Sequence, residues 1–152
     1  MHILAVYGSN TGNTKSLMYF IKEYFKSHKY KFTLLNAKDI NAENIPSFSK
    51  HDLVILSSAT WGGVQPTLQE DFAAFWSLIS KNNFKDNKFA VIGLGDIYYP
   101  SFCKAVDFIS DDVVKYKGSL LINSLAIADS WEDYKPAIKN WLQQLQNILK
   151  QQ

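Results

Sequence analysis

Arginine is absent from this sequence and cysteine is nearly so, and each scarcity excludes a class of function. All 16 basic residues are lysines, so the planar guanidinium fork that recognises guanine and paired phosphate oxygens is missing. The formal net charge is only +2, which is too small to favour a nucleic-acid-binding surface. We therefore expect no nucleic-acid partner.

Cys103 is the single cysteine, so an internal disulfide is excluded and nothing indicates an oxidising compartment. No apolar run approaches the roughly 20 residues of a membrane span, and Met1–Tyr7 lacks the basic flank of a secretory signal. These features predict a cytoplasmic protein with no membrane partner. A length of 152 residues, 47% of them apolar and 20% charged, suits one globular domain over residues 1–152.

Strand-like and helix-like segments alternate along the chain. The predicted strands are His2–Tyr7, Phe32–Leu35, Leu53–Leu56, Phe89–Leu94 and Leu120–Ile127. Apolar residues recur at helical spacing in four further segments, which are Leu17–Phe25, Leu68–Ile79, Phe102–Val114 and Ile138–Leu149. This alternation predicts an α/β fold with a doubly wound, five-stranded parallel sheet in the flavodoxin-like order 2-1-3-4-5 and helices on both faces. Ligands of such sheets bind at the carboxyl ends of the strands.

The loop after the first strand, Gly8–Thr14, is rich in hydroxyl and amide side chains and leads directly into a helix. Such a loop can bind a phosphate through neutral donors and the positive end of the helix. A nucleotide-triphosphate P-loop needs glycine immediately before its lysine, whereas Thr14 precedes Lys15 here. The third glycine of the Rossmann fingerprint is also missing. The loop therefore indicates a monophosphate, and a polar turn with a capping hydroxyl is the alternative interpretation.

Aromatic residues follow the third and fourth predicted strands. Trp61 precedes two glycines in one loop, and Tyr98 and Tyr99 follow Asp96 in the other. Trp61 could instead cover the core, and Asp96 could serve a turn while the tyrosines pack on the surface. Taken with the phosphate loop, two aromatic loops at one sheet edge indicate a flat heteroaromatic ring carried on a ribityl or ribosyl phosphate.

Three segments combine these features in one order. They are Ser9-Asn10-Thr11-Gly12-Asn13-Thr14, then Thr60-Trp61-Gly62 with Leu68-Gln69-Glu70-Asp71-Phe72, and then Gly95-Asp96-Ile97-Tyr98-Tyr99 with Phe102-Cys103. Together they resemble the flavodoxin family, specifically its short-chain branch. The resemblance spans nearly the whole chain and leaves no room for the extra loop that the long-chain branch carries in its fifth strand.

The resemblance implies a bound flavin mononucleotide (FMN). Its phosphate would be held by the first segment, while Trp61 and Tyr99 would cover the two faces of the flavin ring. Thr60 and Asp96 would contact the ribityl chain or the pyrimidine edge, and the Gly62 carbonyl would accept the N5 proton of the one-electron-reduced flavin. The implied cofactor-binding set comprises Ser9, Asn10, Thr11, Gly12, Asn13, Thr14, Ala59, Thr60, Trp61, Gly62, Gly63, Leu94, Gly95, Asp96, Tyr99 and Phe102. It includes no catalytic side chain and no metal ligand.

By the same resemblance, the protein would be a monomeric, low-potential electron carrier rather than an enzyme. It would shuttle single electrons from a flavodoxin reductase to acceptor redox proteins through a stabilised neutral semiquinone. Two departures from the family pattern are Ala59, where relatives often carry a hydroxyl, and Gly63-Val64, where they are often acidic. The alternatives are a two-electron flavodoxin-like reductase, a module that activates a ribonucleotide reductase, and a non-flavin domain of the same fold.

Overall fold

A parallel sheet forms the centre of the computed structural model, which describes residues 1–61, 67–96 and 103–152. The strands are β1 His2–Gly8, β2 Lys31–Asn36, β3 Leu53–Ser58, β4 Thr60–Trp61, β5 Thr67–Leu68, β6 Lys88–Gly95, β7 Ser119–Leu120 and β8 Leu125–Ala128. The helices are α1 Asn13–Ser27, α2 Glu70–Leu78, α3 Lys104–Lys115 and α4 Lys135–Lys150. Short 3₁₀ turns cover Ala37–Asp39, Phe48–Lys50, Lys81–Asn83 and Trp131–Tyr134.

The strand order confirms the fold class expected from the sequence. The main sheet runs β2-β1-β3-β6, with β7 and β8 both paired to the outer side of β6, and every one of these pairings is parallel. If β6 is counted as the fourth strand and β7 with β8 as the fifth, the order is 2-1-3-4-5. The short strands β4 and β5 form a separate antiparallel pair beyond the carboxyl end of β3.

The fifth strand differs from the continuous run Leu120–Ile127 that the sequence predicts. Its first part pairs Leu120 with Phe89, and its second part pairs Leu125 with Ile92. Between these two points β6 advances by three residues and its partner by five, so the outer strand carries two extra residues at the break. The insertion is a local interruption of the ladder, akin to a bulge.

Neighbouring helices hold the segment at this break. The indole Nε1 of Trp141 on α4 donates a hydrogen bond of 2.8 Å to the carbonyl oxygen of Asn123. The hydroxyls of Ser110 on α3 and Ser124 are 2.7 Å apart. The first part of the ladder ends with the Leu121 N–H, which donates to the Phe89 carbonyl at 3.0 Å. Beyond it, side chains of α4 and α3 hold residues 123 and 124, and an apolar pattern alone does not reveal these contacts.

Helices cover both faces of the sheet, as expected. On β1, Ile3 and Ala5 face the layer of α1 and α4, whereas Leu4 and Val6 face that of α2 and α3. The buried residues of the first layer are Leu17, Met18, Ile21, Phe25, Ile138, Trp141, Leu142, Leu145 and Leu149. Those of the second are Phe72, Phe75, Val106, Ile109 and Val113. Burial on both faces explains why the central strands are apolar at consecutive positions.

The helices are amphipathic rather than uniformly apolar. Along α1, the buried side chains recur at the i, i+4 spacing from Leu17 through Ile21 to Phe25, while Lys15, Glu23 and other polar residues lie outside. In the described ranges, no helix combines the length and the hydropathy that crossing a membrane requires.

Gly93 allows α3 to approach the sheet closely. A Cβ at Gly93 would lie 2.5 Å from Val106 Cγ2 and 2.9 Å from the carbonyl oxygen of Ser58. Both distances are shorter than van der Waals contact, so any larger residue would push β6 and α3 apart. The glycine therefore sets the position of α3 relative to the carboxyl end of β3.

We expect Gly93→Ala to lower the free energy of unfolding by about 1–3 kcal/mol, because the added methyl overpacks this junction. Denaturant unfolding followed by circular dichroism measures the change. Ala126→Ser is the matched control, since Ala126 pairs with Gly93 but has an exposed side chain, and its effect should stay within about 0.5 kcal/mol. Unchanged stability of Gly93→Ala would contradict the close approach.

Candidate functional site

A cleft of about 180 Å³ opens at the carboxyl edge of the sheet. Its walls come from the loop after β1, the end of β3 and the residue after β8. The described lining residues are Asn10, Thr11, Asn13, Thr14, Ala59, Thr60 and Asp129. Six of these seven belong to the set predicted from the sequence, and they come together at the edge where parallel α/β sheets bind ligands.

The loop after β1 turns sharply into α1. Gly12 has φ +89°, a left-handed conformation that favours glycine. The hydroxyl of Ser9 accepts a hydrogen bond of 3.1 Å from the Gly12 N–H, and the Gly12 carbonyl accepts the first helical bond from Ser16 N–H at 2.9 Å. Ser9 and Gly12 thereby shape the turn, while Asn10 and Thr11 lie along the cleft.

No side chain of the described residues caps the amino end of α1. The Thr11 hydroxyl lies 3.5 Å from the Asn13 N–H, which is a long contact. First-turn N–H groups of a helix have no partner within the helix, and they carry partial positive charge. With Thr14 buried beside them, they form a surface whose chemistry suits an anion without a cationic side chain.

Gln69 ties this loop to the rest of the site. It is fully buried, and its Nε2 donates to Asn10 Oδ1 at 2.7 Å and to Asp71 Oδ2 at 3.1 Å. Its Oε1 accepts from the Phe72 N–H at 3.0 Å, which caps α2. Its backbone N–H donates to Ser58 Oγ at 3.0 Å. One residue therefore joins the loop after β1, the end of β3 and the start of α2.

Gln69 has a structural role that the sequence-based site prediction did not assign. Gln69 is the N-cap of α2, whereas the apolar spacing predicts that the helix begins at Leu68, and glutamine is not among the residues preferred at an N-cap. Its bond to Asn10 spans 59 residues, and no local pattern indicates it.

Ala59 and Thr60 form the wall that follows β3. The Thr60 hydroxyl accepts a hydrogen bond of 3.0 Å from the Ala105 N–H in the first turn of α3, which leaves its own hydrogen free to donate. The Ala59 carbonyl accepts from the Gln69 N–H at 3.1 Å and from Ser58 Oγ at 2.9 Å. Ala59 also lines the cleft, and its side chain there is a methyl group.

Asp129 is the lining residue that the sequence analysis missed. Its backbone N–H donates to the Gly95 carbonyl at 3.0 Å, directly after β8. Partial burial and the nearby Asp96 carboxylate raise the pKa of Asp129 above its ordinary value. Its position one residue beyond the fifth strand could have identified it, because that strand also ends at the ligand-binding edge.

The remaining predicted residues on β6 have different surroundings. Leu94 is completely buried in the layer of α1 and α4, and the Gly95 carbonyl is engaged by Asp129. Asp96 is exposed just after the strand. The predictions for Gly62, Gly63, Tyr99, Phe102 and the Trp61 side chain lie outside the described residues.

Cys103 is packed in the core. It is 2% exposed, and its Sγ donates to the carbonyl oxygens of Ile127 at 3.4 Å and Gly93 at 3.6 Å. Burial raises the pKa of the Cys103 thiol to about 12, so the thiol remains protonated at neutral pH. Across the described parts of the chain, no three His, Cys, Asp or Glu side chains are grouped to hold a metal ion.

Comparisons with known proteins agree with this architecture. A family model described as Flavodoxin matches residues 6–141. A flavodoxin of Maridesulfovibrio salexigens is 32% identical over 124 residues, which are 82% of this chain and 84% of that protein. Oxidised flavodoxin 1 from Bacillus cereus superposes with a TM-score of 0.83 at 21% identity, covering 99% and 98% of the two chains.

A further solved structure is that of Fusobacterium nucleatum flavodoxin bound to flavin mononucleotide. It superposes with a TM-score of 0.70 at 18% identity, covering 96% of this chain and 97% of that one. At these identities the two structural matches show a shared fold, while the family model and the Maridesulfovibrio relative extend the likeness to the sequence.

We expect Gln69→Leu to lower the free energy of unfolding by about 1–3 kcal/mol, because it leaves Asn10 Oδ1 and the Phe72 N–H without their partner. Denaturant unfolding measures the loss, and amide hydrogen exchange should show faster exchange at Phe72. Gln143→Leu, on the exposed face of α4, is the control and should change stability by no more than about 0.5 kcal/mol. Exchange at Phe72 equal to that of the parent protein would contradict the role of Gln69.

Proposed function

This chain belongs to the flavodoxin family, and from that premise we propose that it binds one FMN in the cleft and carries electrons between redox proteins. The observation that carries the proposal is the uncapped amino end of α1, which opens on a cleft lined by amide and hydroxyl side chains. The FMN bound to the Fusobacterium nucleatum flavodoxin supports the choice of ligand.

The chemistry of the donors suits a phosphate group. Asn10, Thr11, Asn13 and Thr14 supply neutral hydrogen-bond donors, and the dipole of α1 contributes about 0.3–1 kcal/mol of attraction for an anion at its end. No lysine is among the described lining residues. In this proposal, hydrogen bonds and the helix dipole hold the phosphate, with Ser9 and Gly12 fixing the loop around them.

The wall after β3 suits a polyhydroxyl chain. Thr60 has a hydroxyl hydrogen available to donate, since its oxygen already accepts from Ala105. Asp129 faces the same cleft with carboxylate oxygens that accept hydrogen bonds. We place the ribityl chain between these two side chains, and Asp96 at the ribityl or pyrimidine edge. Ala59 offers only its methyl group and its backbone there.

The cover of the flavin ring rests on the sequence resemblance alone. Trp61 and Tyr99 are proposed for the two ring faces, and the Gly62 carbonyl for the N5 proton. The same resemblance adds Gly63, Leu94, Gly95 and Phe102 to the proposed set. Aromatic cover would exclude water and lower the local dielectric, which disfavours extra negative charge on the ring.

Bound FMN would supply one-electron chemistry at low potential, through the neutral semiquinone that we propose this protein stabilises. None of the described lining side chains is a cysteine, histidine or lysine that could act as a nucleophile or a base near neutral pH. The proposed partners are a flavodoxin reductase as donor and a redox enzyme as acceptor, and the proposed setting is a monomer in the cytoplasm.

An anaerobic stepwise reduction with recorded visible spectra tests the function directly. We expect a yellow protein that turns blue at the one-electron stage before it bleaches, with free FMN in the same buffer as the control. Direct bleaching without a blue stage would show that flavin is bound but would favour a two-electron reductase over a single-electron carrier. A protein that stays colourless after incubation with FMN would refute the proposal.

We expect Thr14→Val to weaken FMN binding by about tenfold or more, because it removes a hydroxyl that hydrogen-bonds a charged phosphate. Thr14 is only 2% exposed and valine has nearly its shape, so the fold should tolerate the change. Flavin fluorescence titration measures the affinity. Riboflavin, which lacks the phosphate, should bind the variant and the parent protein with equal affinity. The control Ser77→Ala on α2 should leave the affinities for both ligands unchanged. Equal weakening of riboflavin and FMN would contradict a phosphate contact at Thr14.

A further inference from the structure

A second pocket, of about 300 Å³, lies at the opposite edge of the sheet from the cleft. It is formed by the turn before β6 and the end of α3 before β7. The lining residues are Lys81, Asn82, Lys85, Lys115, Tyr116 and Lys117. The eight residues of β6 separate it from the cleft by roughly 23 Å at the usual rise of a strand, so the lysine pocket is a distinct site.

Backbone hydrogen bonds hold the two sides of the lysine pocket together. The Asp86 N–H donates to the Lys117 carbonyl at 3.2 Å, and the Ser119 N–H donates to the Asn87 carbonyl at 2.9 Å. Asp86 and Lys117 both have left-handed backbones, with φ 64° and 67°. Non-glycine residues keep such conformations only where their surroundings fix them. The lysines therefore project from a preorganised frame.

The lysines of this pocket form no salt bridge with the described carboxylates. Throughout residues 1–61, 67–96 and 103–152, the only ion pair is Lys104–Asp107, on α3 away from this pocket. The Asp112 carboxylate, close in sequence, accepts a hydrogen bond of 2.8 Å from Trp76 Nε1 instead. Four ammonium groups thus share one concave surface without a carboxylate partner.

Tyr116 contacts two of these lysines. The ammonium nitrogens of Lys81 and Lys115 lie 5.2 Å and 5.4 Å from the centroid of its ring, within the range of cation–π attraction. The ring itself packs against the buried Phe84, with centroids 5.7 Å apart. The four ammonium groups that line this pocket repel one another, and an anion of several charges bound in the pocket would relieve that repulsion.

We propose that the lysine pocket binds a small polyphosphate anion, either a condensed inorganic phosphate or the phosphate chain of a nucleotide. Lysine binds phosphate as a point charge without the paired geometry of arginine, which suits an all-lysine pocket. A volume of about 300 Å³ is at the lower end for small-ligand sites. This site is separate from the proposed FMN site and does not depend on it.

Inorganic triphosphate is the probe, titrated into ¹⁵N-labelled protein with excess FMN present to keep phosphate out of the cleft. We expect saturable shifts of the backbone amides in segments 81–87 and 115–119, and weakening as salt is raised. Lys85→Gln with Lys117→Gln should reduce the affinity about tenfold or more. Neither lysine lies over the Tyr116 ring, so the packing of the pocket should survive.

Lys38→Gln with Lys139→Gln is the matched control, since both lysines are exposed elsewhere and the net charge falls equally. This control pair should leave the affinity for triphosphate within about twofold of that of the parent protein. The affinity for ATP, compared with that for triphosphate, distinguishes the two possible ligands. Tighter binding of ATP would indicate a nucleotide, whereas equal binding would indicate that the pocket recognises the phosphate chain alone. No saturable shift, equal weakening by the control pair, or equally tight binding of a polyglutamate peptide would overturn the proposal. The shifts report on the lysine pocket even if FMN does not bind.

Discussion

The buried amide of Gln69 is the contact on which the geometry of the cleft depends. Its nitrogen binds Asn10, its oxygen caps α2 through Phe72, and its backbone binds the end of β3. Gly8 is part of the same constraint, because a Cβ there would collide with Gln69 Oε1. Glycine is therefore required at the end of β1 because no side chain fits there, and not because the backbone needs an unusual conformation. The loop after β1, the end of β3 and the start of α2 are thus held together by a single residue.

The same edge of the sheet is suited to a charged ligand without offering an opposite charge. Neutral donors and an uncapped helix line one side of the cleft, while the carboxylates of Asp129 and Asp96 lie at the other. Such an arrangement tolerates a negative group at one point and opposes additional negative charge nearby. Positive charge is instead concentrated in the lysine pocket, at the far end of β6.

The sequence predicts the features that depend on local pattern. Apolar runs such as Leu53–Leu56 identify the buried strands, helical spacing identifies α1 and α4, and the order of segments gives the topology and the edge where the cleft lies. Contacts between distant segments are not predictable in this way. The bond from Gln69 to Asn10, the position of Asp129 and the two-residue insertion in the fifth strand all depend on partners in other elements. The grouping of the lysines around Tyr116 likewise joins segments about thirty residues apart.

The interruption between β7 and β8 also affects how the protein behaves among other copies of itself. An outer strand with a long, regular row of free N–H and C=O groups is a template on which another chain can add a strand. Here that row is divided into pieces of two and four residues that are out of register with each other. An incoming strand cannot match both pieces at once. The two extra residues, which interrupt the ladder locally, thus protect this edge of the sheet against aggregation.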